Sequence, residues 1–343
     1  MLYSNLIRPL LFKLPAETAH DITIRQLELL QNSYLGRELI KLLSGHVESN
    51  PVQVMGLNFR HPVGLAAGLD KDAKVIRGLF QMGFSHIEVG TLTPKSQPGN
   101  DKPRLFRLKE DHALINRMGF NNEGSIAASR RLKKRDPNWG VVGGNVGRNK
   151  ITNNENAIDD YIASMSHLRD HVDYFTVNIS SPNTPGLREL QQEEVLKNLL
   201  TRISDDNSKS FKPRPLAVKI SPDLSKQEVQ SISRLAVTCG FNGIIGTNTT
   251  VNRIGLKTKA NRIKDAGSGG LSGRPLTRHS TDVVAWIKEA VGDSAAVIGV
   301  GGIFNAQDVI DKRNAGADLV QIYTGFVYNG PSMINNIQEA WIK

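Results

Sequence analysis

Eight short apolar runs recur through most of this chain, separated by longer stretches with helical spacing. The runs cover residues 63–67, 86–90, 141–146, 174–179, 216–220, 243–246, 296–300 and 319–323. Helix-like segments at 73–82, 158–169, 226–239, 281–291 and 306–315 fall between most of them. Eight strand–helix repeats in about 290 residues is the arithmetic of an α/β fold of the (β/α)8 TIM-barrel type. A doubly wound open sheet is the competing arrangement, but it rarely needs eight evenly spaced parallel strands. The expected barrel spans residues 51–343, opening with a small hairpin around Met55-Gly56.

Residues 1–50 have a different character and are expected to form a helical extension. Leu2, Tyr3, Leu6, Ile7, Leu10, Leu11 and Leu14 make one apolar stripe at helical spacing. Pro9 must kink or divide that helix. A second helix is expected from Pro15-Ala16-Glu17 through Leu30, with further apolar pairs at Leu39-Ile40 and Leu42-Leu43. Such faces either dock on the main domain or lie on a membrane surface; the pattern alone favours docking and leaves both open. No apolar run approaches the roughly 20 residues of a spanning helix, and the N-terminus has no signal-peptide cleavage pattern.

The formal charge of +10 admits nucleic acid, anionic lipid or an acidic substrate as partner. The densest basic run, residues 130–135, has no aromatic-studded nucleic-acid motif beside it and reads as a solvated helix face. One cysteine, Cys239, excludes an internal disulfide framework and a cysteine-based zinc cluster.

A barrel of this kind carries its chemistry where its strands end. The stretch 176–187 leaves a strand and becomes a loop with two serines, two prolines and the amides Asn178 and Asn183. It holds no histidine, and no nearby acid could activate a hydrolytic serine. Amides offer both donors and an acceptor, which suits a flat heterocycle with imide edges. Asn116, Asn145 and Asn248 bring the strand-end amides to five. Lys71 and Lys219 stand in apolar surroundings, where a lysine is costly unless it meets an anion or snorkels to solvent. Gly301-Gly302, Tyr323-Thr324-Gly325 and residues 269–273 are three glycine-bearing turns at the corner where barrels often hold phosphate. No His/Asp/Glu cluster has metal-ligand spacing, so no metal is expected.

Together these segments resemble dihydroorotate dehydrogenases, specifically the quinone-dependent, membrane-associated class. The matching pieces are GLAAGLDK (64–71), PGNDKPRLFR (98–107), NRMGFNN (116–122), NISSPNTPG (178–186), GGLSG (269–273) and GVGG (299–302). The resemblance implies an FMN enzyme of pyrimidine (UMP) biosynthesis that oxidises (S)-dihydroorotate to orotate and passes electrons to a membrane quinone. It makes Ser181 the catalytic base, with Thr184 as a relay; serine rather than cysteine there points to the quinone class. It places Lys71, Asn116, Arg117, Met118, Gly119, Phe120, Asn178, Asn183, Asn248 and Thr249 around the substrate. It places Ala67, Gly68, Leu69, Asp70, Lys71, Thr91, Asn145, Asn178, Lys219, Thr247, Gly273, Gly302, Tyr323 and Thr324 around FMN. Residues 1–50 would form the quinone entrance and the membrane contact, on the cytoplasmic face of a bacterial inner membrane.

Overall fold

A computed structural model describes residues 2–45 and 47–342. Eight parallel strands close into a barrel, each beside the next in sequence. They are β1 (Val63–Leu65), β2 (His86–Leu92), β3 (Val141–Val146), β4 (Tyr174–Asn178), β5 (Leu216–Ile220), β6 (Gly243–Gly246), β7 (Ala296–Val300) and β8 (Leu319–Ile322). The ladder of β8 with β1 completes the ring. Helices follow the strands on the outside, among them Ile76–Gln81, Ala157–Leu168, Lys226–Thr238, Thr277–Val291 and Ala306–Asn314. Two of these begin in reciprocal capping boxes, Ser225 with Glu228 and Asn305 with Asp308, which satisfy amide donors that a helix start leaves free. The basic run lies at the end of helix Ser125–Leu132, where Arg130, Lys133 and Lys134 face solvent and Arg135 pairs with Asp173 at 2.7 Å.

Side chains alternate across each strand. Val142, Val218, Ile244, Val297 and Val320 point outward and bury under the helices. Val141, Ala217, Ile245, Ile298 and Leu319 point inward and join the hairpin residues Val54 and Phe59 in an apolar plug. The hairpin pairs Val52–Val54 with Leu57–Phe59. Its turn lies so close to β6 that a Cβ on Gly243 would stand 2.7 Å from Met55 Sδ.

The N-terminal stripe is not divided at Pro9 as expected: the helix runs on through it, and the change of winding falls between Ile7 and Arg8. A π-turn at Tyr3–Ile7 runs into α1 (Arg8–Leu11), where Pro9 occupies the first turn and its missing N–H is not required. Two longer helices follow, α2 (Ala16–Gln31) and α3 (Tyr34–Ser44). One side of this extension is stitched to the barrel. Leu27 and Ile40 are buried in the main core. Gln31 donates to Lys74 O and accepts from Gly78 N at 2.7 and 3.0 Å, and Glu17 pairs with Arg104 at 2.8 Å. The other side exposes Leu29, Leu35 and Leu42 at 69, 79 and 78%. Among the described residues no helix is long and apolar enough to cross a membrane.

One element departs from the sequence reading. Residues 269–273 were expected to be a glycine-rich turn, but Gly270–Gly273 is a strand. It pairs antiparallel with Ala113–Asn116, which in turn pairs with Leu105–Leu108. The glycines are there for close approach: a Cβ on Gly270 would meet Thr249 Oγ1 at 1.8 Å, and one on Gly273 would meet His112 O at 2.4 Å.

Candidate active site

The inward pleat explains how the site is floored. Two to four residues beyond the apolar layer, the same inward faces turn polar: Glu88 on β2, Asn145 on β3, Thr176 and Asn178 on β4, Lys219 on β5 and Gln321 on β8. Glu88 is fully buried and is their hub. It accepts from Asn145 Nδ2 at 2.7 Å, Thr176 Oγ1 at 3.0 Å, Gln321 Nε2 at 3.0 Å and Tyr174 OH at 3.3 Å. Lys219 Nζ stands 3.9 Å from it. Burial pushes Lys219 below the usual lysine range, and the Glu88 charge pulls it back up. A buried polar group needs its partners, and this network supplies them from strands on opposite sides of the barrel.

Above that floor a cavity open to solvent runs along the C-terminal ends of the strands. One wall is the antiparallel sheet, through Leu105, Leu114, Asn116 and Ser272; His20 of α2 closes another side. The amides form two linked groups, Asn145–Asn178–Asn248 and Asn183–Asn116. Asn178 Nδ2 donates to Thr91 Oγ1 at 2.9 Å and to Asn145 Oδ1 at 3.2 Å. Asn248 Nδ2 donates to Ser180 Oγ at 3.0 Å and to Asn178 Oδ1 at 3.3 Å. Asn183 Nδ2 donates to Asn116 Oδ1 at 3.0 Å, which leaves Asn183 Oδ1 buried without a partner.

Ser181 lines the cavity and is 5% exposed; its Oγ accepts from Asn183 N at 3.2 Å. Thr184 Oγ1 is buried without a partner, and no hydrogen bond joins it to Ser181. The loop is held from behind by Arg188, which donates to Ser180 O at 3.2 Å and Thr249 O at 3.1 Å. Lys71 faces the cavity and makes no hydrogen bond or ion pair among the described residues. Burial lowers its pKa, against the pull of Asp72, Glu17 and Asp21. Beside it His20 is pushed down to about 3 by burial and by the Lys71 charge, so it is neutral.

The loop Met118-Gly119-Phe120 is over-determined. Phe120 holds a φ of 53°, unfavourable for a bulky side chain. Gln97 Nε2 donates to the carbonyls of Gly119 and Phe120 at 3.1 and 3.0 Å, fixing that shape.

Of the residues expected at the site, most meet at this cavity: Ser181, Lys71, Lys219, Ala67, Gly68, Thr91, Met118, Gly119, Phe120, Thr247, Thr249, Gly273, Gly302, Tyr323, Thr324 and the four amides Asn116, Asn178, Asn183 and Asn248. Asn145 lies one layer below, in the Glu88 network. Leu69 is buried in the core beneath the helices. Asp70 accepts from the backbone N–H groups of Lys74 and Val75 at 2.8 and 2.9 Å, so it holds its own loop. Arg117 turns away, donates to Ala266 O and Pro103 O, and lies over the Phe106 ring. Sequence reasoning missed Glu88, Gln321 and His20. For the first two the signal was present, since each is a polar residue at an inward position of an otherwise apolar strand. His20 shows only once α2 is docked.

The donor set fits a phosphorylated, amide-edged ring system. Two lysines, one making no hydrogen bond or ion pair among the described residues, line the same cavity as an orphaned amide oxygen and a glycine corner. At that corner a Cβ on Gly302 would stand 2.2 Å from Thr277 Cα, and one on Gly325 2.0 Å from Ile303 O. Among the described residues no group of three or more His, Cys, Asp or Glu side chains is placed to hold a metal ion.

Comparison with known proteins agrees with this geometry. The family model for dihydroorotate dehydrogenase matches residues 50–342. A protein of Christiangramia forsetii named dihydroorotate dehydrogenase (quinone) is 48% identical, over 100% of this chain and 99% of its own. A protein of the same name from Myxococcus xanthus is also 48% identical, over 97% of this chain and 91% of its own. The crystal structure of DHODH from Eimeria tenella in complex with ferulenol superposes with a TM-score of 0.79 at 35% identity, covering 90% of each chain. The ligand-free form gives 0.81 at 36% identity, covering 90% of this chain and 93% of that one. The chain belongs to the dihydroorotate dehydrogenase family.

Proposed function

We propose that this chain oxidises (S)-dihydroorotate to orotate with FMN and hands the electrons to a membrane quinone, as a step of pyrimidine biosynthesis. One observation carries the reading: a serine hydroxyl, an unpartnered lysine and a ring of amides line one cavity that ends in a glycine corner. FMN, when bound, supplies the two-electron acceptor; the protein supplies position and polarity. The glycine corner and Thr324 would hold its phosphate, and Lys219 and Asn178 its ring.

Ser181 Oγ takes the proton from C5 of the substrate. A serine is a weak base on its own, and the Asn183 N–H aimed at its oxygen favours the deprotonated form. The proton then leaves to bulk water, with Thr184, whose hydroxyl is buried and uncommitted, as a relay that gives up one proton as it takes another. Asn116, Asn183 and Asn248 orient the ring through its imide edges, and Lys71 meets the carboxylate. His20, Leu105 and Leu114 help to shield the cavity from water.

The exposed leucines of α2 and α3 rest on the membrane, with residues 1–50 acting as the quinone entrance and 51–343 as the catalytic unit. The expected location is peripheral, on the cytoplasmic face of an inner membrane. The test is steady-state orotate formation by purified protein. A water-soluble quinone is expected to sustain turnover, and fumarate or NAD is not. Turnover with fumarate or NAD but not quinone overturns the assigned acceptor.

A further inference from the structure

Behind the glycine corner lies a lysine that the reading above does not use. Lys312, on helix Ala306–Asn314, has no exposed surface. Its Nζ donates to Ser280 Oγ at 2.6 Å and to Thr281 Oγ1 at 2.9 Å, both on helix Thr277–Val291. It makes no ion pair among the described residues; Asp308, Asp282 and Asp311 act on it only from a distance. Burial pushes it down to about 7. β7 is shaped around its stem, since a Cβ on Gly299 would stand 3.2 Å from Lys312 Cδ.

A buried ammonium held only by neutral hydroxyls is costly. The arrangement connects it to the cavity. Ser280 Oγ donates to Gly301 O at 2.9 Å, and Thr277 Oγ1 donates to Gly302 O at 2.7 Å. Both carbonyls are thereby turned toward helix Thr277–Val291. Planar trans peptides then turn the N–H groups of Gly302 and Ile303 the opposite way. Gly301, Gly302 and Ile303 all line the cavity.

We propose that Lys312 is a positioning residue for the phosphate of the flavin. Through Ser280 it fixes the Gly301 carbonyl and hence the phosphate-facing amides. The inference rests on the flavin reading above.

The test compares FMN with riboflavin, which lacks the phosphate. Full-length protein is loaded with either flavin and diluted, and released flavin is read by its fluorescence. Lys312→Met is expected to lower the preference for FMN over riboflavin by about tenfold or more, with riboflavin affinity unchanged. Ser280→Ala, which severs the link while keeping the lysine, is expected to lower the same ratio by less, and it decides the matter if Lys312→Met does not fold. An unchanged ratio in a folded variant overturns the inference. So does an equal loss of both flavins, which marks a purely structural lysine. Wild-type protein that binds neither flavin overturns the underlying flavin reading instead.

Discussion

Ser181 and Lys71 stand in the same cavity with different needs. Ser181 has a donor aimed at its oxygen, whereas Lys71 has an ammonium that carboxylates act on only from a distance. Replacing Ser181 with Ala should leave FMN bound and slow flavin reduction by dihydroorotate about 10²–10⁴-fold, the usual range for general base catalysis. Stopped-flow absorbance checks this, and undiminished reduction would remove Ser181 from the role. Lys71→Met should weaken orotate binding by roughly tenfold or more, because a desolvated charge pair is lost. Titrating orotate against the flavin spectrum measures it. Lys71, Ser181 and the rim amides were legible in the sequence because each is a polar group at a strand end. Glu88 carried a signal too, as a polar residue within the mostly apolar 86–90 run, but only the pleat shows that it faces inward. The direction of the Arg117 side chain was hidden for a related reason: a motif fixes where a residue sits in the chain, while the Phe106 ring and the carbonyls of Ala266 and Pro103 decide where its side chain goes.

The N-terminal helices carry two faces with separate jobs. The inner face makes part of the cavity through His20 and satisfies Arg104 through Glu17. Despite burial, which pushes it up, Glu17 is held below the usual carboxylate range by the hydrogen bonds and charge of Arg104 and the charge of Lys102. Deleting the whole extension would therefore open the cavity and leave Arg104 without its carboxylate. The cleaner probe is the outer face. Leu35→Glu with Leu42→Glu should abolish cosedimentation with lipid vesicles and slow turnover with long-tailed quinones, while flavin reduction by dihydroorotate stays unchanged. Retained vesicle binding would move the membrane contact elsewhere. Apolar spacing offered docking and membrane contact as alternatives, because spacing does not say which side meets the barrel. The strand Gly270–Gly273 was hidden by its composition. Glycine is depleted in strands, yet here it is required by the backbones and side chains that press against it.

At the scale of the whole molecule, the eightfold repeat was the most legible feature, and it also places a liability. His86 and His61 are buried at the start of the barrel. Burial, together with the neighbouring His61, pushes His86 down to about 3; burial outweighs the Gly83 hydrogen bond and pushes His61 down to about 4. Both folded values lie below the unfolded value of about 6.5. The unfolded chain therefore binds protons first as pH falls. This stability is fully present above about pH 6.5 and is lost progressively as pH falls toward the folded values. At pH 5 the loss is roughly 2 kcal/mol per residue. Denaturant unfolding at pH 7 and pH 5 should show it. His86→Leu should reduce the difference between the two pH values, and an undiminished difference would remove His86 as a source.

The central claim is that one cavity joins a flavin, dihydroorotate and a quinone-linked outlet. An anaerobic absorbance spectrum of the purified protein tests it most directly, taken before and after (S)-dihydroorotate and again after a soluble quinone. The account predicts a flavin band that bleaches with dihydroorotate and returns with quinone, but not with fumarate or NAD. A flavin band that dihydroorotate never bleaches would contradict it.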